Sequence, residues 1–375
     1  MKTVSASSAA FAIGLAMILF CTSPVSAKTK ITDPSKKWIT VGYGLKASYS
    51  SIEDAAPSGT NRLNDFSVQN VRLYLHSELA KGINLTFNTD YNPNTNNVVV
   101  MDAAAKFRFA NWFNVWGGRF HIPSDRTNHS GPYNLNAWDL PFVQRIPNIA
   151  FGRDNGAAFW GTTFSQKLKY EFGVFRGRVN GTNSQTNPNR ESHPLFAGKV
   201  QYNFWDPEPG YGNKNSYFGK KDILAVAFVW WHQDDGAGNL QKAGHYTHWS
   251  ADFLLEKKLS NKSVVTLDFT YYDYDLDGAS DVKLIDGQAY YVSLNYLLSG
   301  KVGWGQFQPY VRYQEFNRAN FNRLGQRGQR NRIEGGVNYI IDGHNAKLAL
   351  FYYNEHPGPG GGEINAVKVG AQLQF

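Results

Sequence analysis

The side chains in this chain best suited to chemistry are cations set at recurring intervals. Between residues 121 and 154, Arg126, Arg145 and Arg153 share a stretch with Asp125, Asp139 and Asp154. Further on, Arg318, Arg323, Arg327, Arg330 and Arg332 form a run with no acid among them. A guanidinium is a planar fork of donors that grips two oxygens of a phosphate or carboxylate at once, so these residues suit anion binding, not proton transfer or nucleophilic attack. No Ser/His/acid set stands out. His245 and His248, three apart, fall on opposite faces of a strand and make no metal pair; neither a metal nor a cofactor is expected. Pro357 to Gly362 is glycine-rich but lacks the Gly-Lys-Ser/Thr that completes a phosphate cradle.

The elements that carry the other cations are strands. Val71, Leu73, Leu75 and Leu79 alternate with Arg72, Tyr74, His76 and Glu78, while Val99, Met101, Ala103, Ala105, Phe107 and Phe109 alternate with Asp102, Lys106 and Arg108. The stretch 365–375 sets Val367, Val369, Ala371, Leu373 and Phe375 against Lys368, Gly370, Gln372 and Gln374. Period two gives each strand an apolar face and a polar face. About sixteen such stretches run from 38–50 to 365–375. Their polar faces hold about eleven cations (Lys46, Arg72, Lys106, Arg108, Lys167, Lys169, Lys199, Arg312, Arg332, Lys347 and Lys368). About eight acids oppose them: Glu78, Asp90, Asp102, Glu171, Asp252, Glu256, Asp268 and Glu334.

The chain opens with an export pattern: Lys2, an apolar run from Ala9 to Cys21, and the small residues Val25-Ser26-Ala27. Residues 1–27 read as a signal peptide cleaved near Ala27, leaving 28–375 as one domain without cysteine. The apolar run is too short for a helical span, and no internal run reaches about 18 residues. Two-faced strands behind an export signal point to an all-β fold, a transmembrane antiparallel β-barrel of about 16 strands in the bacterial outer membrane. A barrel of that size encloses water, so its charged faces stay hydrated while its apolar faces meet lipid. A soluble β-sandwich is the alternative. Removing Lys2 takes the formal charge from +8 to about +7, a weak pull on anions, and no basic helix or stacking motif suggests nucleic acid.

Short and long connections alternate, as turns at one barrel end and loops at the other require. The Pro- and Gly-rich link 206–221 breaks the pattern, being long where a turn belongs. The third long link, 121–154, carries Trp138, Leu140, Phe142, Val143, Ile146, Ile149 and Phe151. That apolar content is unlike disorder, so the loop is expected to fold into the barrel and narrow it, with Arg126, Arg145 and Arg153 at the passage. The alternative is a loop on the wall, its arginines paired with Asp125, Asp139 and Asp154. The 318–332 arginines suit either drawing anions to the mouth or holding lipopolysaccharide phosphates.

Three clustered runs, Gly117-Gly118-Arg119-Phe120-His121-Ile122-Pro123, Leu140-Pro141-Phe142-Val143-Gln144-Arg145 and Gly152-Arg153-Asp154-Asn155-Gly156, resemble the phosphate-selective porins O and P. Tyr290 to Leu298, Pro309 to Tyr313 and Gly336 to His344 resemble that family too. The resemblance implies a sixteen-stranded homotrimeric porin, no enzyme, passing small anions such as phosphate past Arg119, Arg126, Arg145 and Arg153. It also implies that Phe375 serves as an assembly signal. Gln144 stands where the family usually has Glu, and the family's ladder of inward arginines is thin here, which favours anion preference over phosphate specificity. Rival functions are a sugar-selective or general diffusion porin, with Trp138, Trp160 and Trp230 as a sugar track, or a barrel sheath around an electron-carrying partner.

Overall fold

A computed structural model describes residues 29–32, 37–93, 95–145, 152–178, 188–279, 281, 284–318 and 328–375. The expected signal peptide lies outside these residues, as do Ile146, Ile149, Phe151, Arg323 and Arg327.

The strands in chain order are β1 Thr29–Thr32, β2 Trp38–Ile52, β3 Leu63–Ala80, β4 Ile83–Asn92, β5 Asn97–Ala110, β6 Phe113–His121, β7 Arg153–Thr163, β8 Leu168–Phe175 and β9 Leu195–Asn203. There follow β10 Ile223–Gly238, β11 Ala243–Lys258, β12 Val264–Asp275, β13 Gly287–Leu297, β14 Lys301–Val302, β15 Gly305–Arg318, β16 Gly328–Asp342, β17 Ala346–His356 and β18 Ile364–Gln374. β1 is a short addition beside β2, and β14 is a two-residue piece of a turn. The other strands pair antiparallel, each with the next, and β18 returns to β2 in the register Ala366↔Ile52 to Gln374↔Gly44. This is a closed 16-stranded barrel, and closure leaves no row of unpaired backbone groups at an edge.

Its polarity is the reverse of a soluble protein's. On β10 the outer residues Val226, Phe228 and Trp230 are exposed, while inside the barrel Lys169, Glu171, Lys199, Glu256 and Asp268 are buried. Water would penalise so continuous an apolar wall, whereas hydrocarbon accepts it provided every backbone group is bonded within the sheet. The wall is therefore built for lipid.

One face assignment needs correction. Val99 and Met101 do not share the outer face with Ala103: the β4–β5 register slips between Asn88↔Asp102 and Thr89↔Val100. The extra residue, Met101, turns inward and is fully buried, and Val98 and Val100 take the outer face instead. A β-bulge inverts parity on one side of itself, and no feature of the strand's own sequence marks it.

Links of two to seven residues join the strands at one barrel end (81–82, 111–112, 164–167, 259–263, 298–304, 343–345), and the links at the other are mostly longer, 93–96 and 239–242 being four residues each. The exception, 204–222, stays long at the short-turn end.

Candidate functional site

Two inserts occupy the lumen, one from each end. The first is the loop after β6. Its helix α1, Arg126–Ser130, is a single buried turn started by Asp125, whose carboxylate accepts from the Thr127 and Asn128 amides. Gln144 Nε2 donates to both oxygens of Asp125, at 2.9 and 2.8 Å. Burial, then the Asp252 charge, push Asp125 above the usual carboxylate range, and the Gln144 and Asn128 donors oppose this. Gly152 closes the loop, its carbonyl accepting from Ile122 N at 3.1 Å with φ at +78°; a Cβ there would sit 2.2 Å from Asn128 Oδ1.

The wall holds this loop on many sides. Lys46 donates to the Pro132 and Trp138 carbonyls (3.1 and 2.7 Å), Lys347 to the Leu135 carbonyl (2.9 Å) and Gln372 to the Tyr133 carbonyl (2.8 Å). On the opposite wall Trp231 donates to the Pro123 carbonyl (2.6 Å), and Tyr274 bonds both the Val143 carbonyl and the Arg145 amide. Trp138 Nε1 reaches Gln69 at 2.7 Å. Glycines on β2 and β18 make room: a Cβ on Gly44 would lie 2.9 Å from the Tyr133 ring, and one on Gly370 2.5 Å from the Trp138 ring.

The second insert is 204–222. Glu208 takes a two-point grip from Arg126 at 2.7 Å each, plus bonds from Tyr217 (2.5 Å) and Gln201 (2.8 Å). Burial disfavours its charge, but the Arg126 guanidinium outweighs burial and holds Glu208 at about 2. Asn213 bonds Lys169 and Lys199 (3.2 and 2.8 Å), and Asn215 bonds Asp268. Tyr211 donates to the His121 carbonyl at 2.8 Å and packs among Trp116, Trp160 and Phe120. The misfit link is therefore lumen filling that meets the loop from below.

Several of the sequence-derived cations prove to be ion-paired. Arg72 pairs with Asp90 (2.5 Å), Arg126 with Glu208, Arg153 with Asp102 (3.4 Å), Arg312 with Glu334 (2.8 Å) and Arg332 with Glu355. Lys169 lies 3.9 Å from Glu171, and Lys199 faces Asn213 and His129. Within the loop, Asp139 pairs with Lys368 at 2.9 Å, and Asp154 takes the Gly177 and Asn155 amides. Burial works against the Asp139 charge, yet Lys368, Lys46 and Arg312 hold it below the usual range. The arginine–aspartate pairing internal to the loop does not form; each partner reaches the wall or the second insert instead.

Arg119 departs from its expected place. It is in register with Ala103 and Asn155, both exposed on the outer face, so it leaves the lumen side to Trp116 and Phe120. Lys106, Arg108 and Lys167 sit toward the short-turn end, where Lys106 lies 3.8 Å over the Trp116 ring and Arg108 is exposed. At the long-loop mouth Arg330 and Arg332 lie over the Phe142 ring and Arg318 over that of Phe316, with Arg145 beside Arg330 and Arg318, and Glu355 is the acid that meets them among the described residues. Burial, then Arg330, lower the pKa of Arg145. The aromatic track does not assemble: Trp138 is buried, Trp230 stands on the outer wall, and Trp160 alone of the three meets the inner aromatic group.

Sequence reasoning missed Glu208, Asn213 and Asn215, whose one signal was a link too long for its end of the barrel. It also missed Gln144's grip on Asp125.

No family model matches the chain, and no curated protein does. Solved structures do. An anion-selective porin from Comamonas acidovorans shares 14% identity at TM-score 0.61, over 90% of this chain and 100% of that one. OprB of Pseudomonas putida shares 9% at TM-score 0.61 (90% and 94% covered), and OmpF of Salmonella typhi 11% at 0.59 (92% and 100%). At such identities the likeness is one of fold: the chain has the closed sixteen-stranded barrel of bacterial outer-membrane porins.

Proposed function

We propose that the chain is an outer-membrane porin, a water-filled diffusion channel preferring small anions of the phosphate type and narrowed by the 121–154 loop. The observation that carries this reading is where cations outnumber acids. At the long-loop mouth Arg145, Arg318, Arg330 and Arg332 share one acid, Glu355, among the described residues, and Lys106 and Arg108 stand toward the other end; between them Arg72, Arg126 and Arg312 are ion-paired, while Lys46, Lys199 and Lys347 donate to carbonyl and amide oxygens. An approaching anion meets favourable potential at either entrance and a size filter between. The three clustered runs from Gly117 to Gly156 support the phosphate-type reading, and the paired interior favours a preference for anions as a class. A solved trimer form of the fold neighbour OmpT of Vibrio cholerae supports a homotrimer, and the mouth arginines also suit lipopolysaccharide phosphates. The inserts occupy the space a sheathed electron carrier would need.

Reversal potentials across planar bilayers in a salt gradient test this. The expected result is anion selectivity that falls in Arg145→Ala and weakens between ~0.1 M and ~1 M salt as the screening length shrinks from about 10 to 3 Å. A cation-selective channel overturns it. The inward Trp116–Trp160–Tyr211 group gives the sugar reading its footing, and current block by maltodextrin but not phosphate would favour that reading.

A further inference from the structure

We propose that the outer face of the β10–β11 hairpin, near its link at the long-loop end, carries a transition-metal site made by His232, Asp234 and His245. Asp234 Oδ1 lies 3.1 Å from His232 Nε2 and 2.9 Å from His245 Nδ1, and the three ligand atoms all fall within 4.8 Å of one another. The residues come from adjacent strands, β10 and β11, where the register His232↔Thr247, Gln233↔Tyr246 sets Asp234 beside His245 at the start of a bulge that ends at Ala237. His248, the nearer histidine in sequence, takes no part: it is buried inside the barrel with its ring 4.7 Å from that of Tyr274.

The surroundings are those a ligand set needs. His232 Nδ1 is 2.9 Å from Thr247 Oγ1, which fixes the ring and presents Nε2 to the centre. Trp230 stacks against the same ring with planes 8° apart. His193, whose Nε2 is 3.7 Å from Asp235 and 3.4 Å from Glu191, adds a further imidazole and two carboxylates at the margin. The two carboxylate–imidazole separations are close to those around a tetrahedral ion with bonds of about 2.0–2.1 Å, and the two imidazoles lie within 4.8 Å of each other. Imidazole suits zinc, copper or nickel, whereas magnesium and calcium prefer oxygen alone. Both Asp234 and His245 are exposed, so an ion enters from solvent and keeps an open position for water.

The site stands or falls separately from the channel reading. The mature chain, refolded in detergent without a polyhistidine tag, is titrated with zinc chloride by calorimetry. The expected result is one ion per chain, with affinity at least about tenfold weaker in His245→Ala and in Asp234→Asn. Unchanged heat-modifiable mobility of each variant on gels shows that the barrel persists. Cobalt in place of zinc is expected to give the visible absorption of a tetrahedral ion. Failure of the wild type to bind saturably, equal affinity in the His232→Ala/His245→Ala double variant, or displacement of zinc by an equal concentration of magnesium would each overturn the proposal.

Discussion

Gln144 shows how much of the lumen's order hangs on one amide. Its amide nitrogen donates to both oxygens of Asp125, which also starts the helix turn and lies in a site already crowded by Asp252. Glutamate there would set two buried carboxylates face to face. Gln144→Glu is expected to lower stability by about 1–3 kcal/mol, read as a lower unfolding temperature in detergent, with the loss shrinking once the pH is acid enough to protonate one carboxyl. Glu208 makes the complementary case. Arg126 holds its pKa at about 2, below the ordinary 4.5, so on acidification the unfolded chain takes up the proton first. Its contribution is whole above pH 4.5 and is lost as the pH falls toward 2. Glu208→Gln should flatten the acid limb of the unfolding temperature against pH in that window; an unchanged slope would deny the ion pair its role. Arg126 was legible in sequence as a lumen cation, but its partner, 82 residues away, was not, because pairing is decided by the fold.

Strands were the most legible elements, since alternation is local and each repeats it. The faces of β3 beyond Asn70 and of β18 follow the simple pattern, with Leu73 and Val367 exposed outside and Arg72 and Gln372 buried inside. The pattern failed where a neighbour intervened: the bulge at Met101 depends on β4, and the inward course of 204–222 depends on groups offered by β8, β9 and α1. Glycines at polar-face positions carried a signal of another kind. Gly370 leaves the space that the Trp138 ring fills, so Gly370→Ala, its Cβ 2.5 Å from that ring, must push the tryptophan off Gln69. The expected outcome is an intact barrel with red-shifted Trp138 fluorescence and higher single-channel conductance, and an unchanged conductance would place the loop's grip elsewhere.

The whole molecule is a sheet whose apolar side meets lipid and whose polar side encloses buried ion pairs. Recovery in the outer-membrane fraction, with gel mobility that changes on boiling, is the expected behaviour, and recovery as a soluble periplasmic protein would contradict it. The β18–β2 seam adds a consequence for the order of assembly. Every other pairing in the barrel joins neighbours in the chain, but Ala366 and Ile52 meet across 314 residues. By the logarithmic law of loop closure, bringing them together costs about 3 kcal/mol more than closing a ten-residue hairpin. Until that contact forms, the growing sheet has two open edges able to pair with any other strand. The seam is thus the slow, committing step of folding, and the point at which this chain, left unguarded, would aggregate.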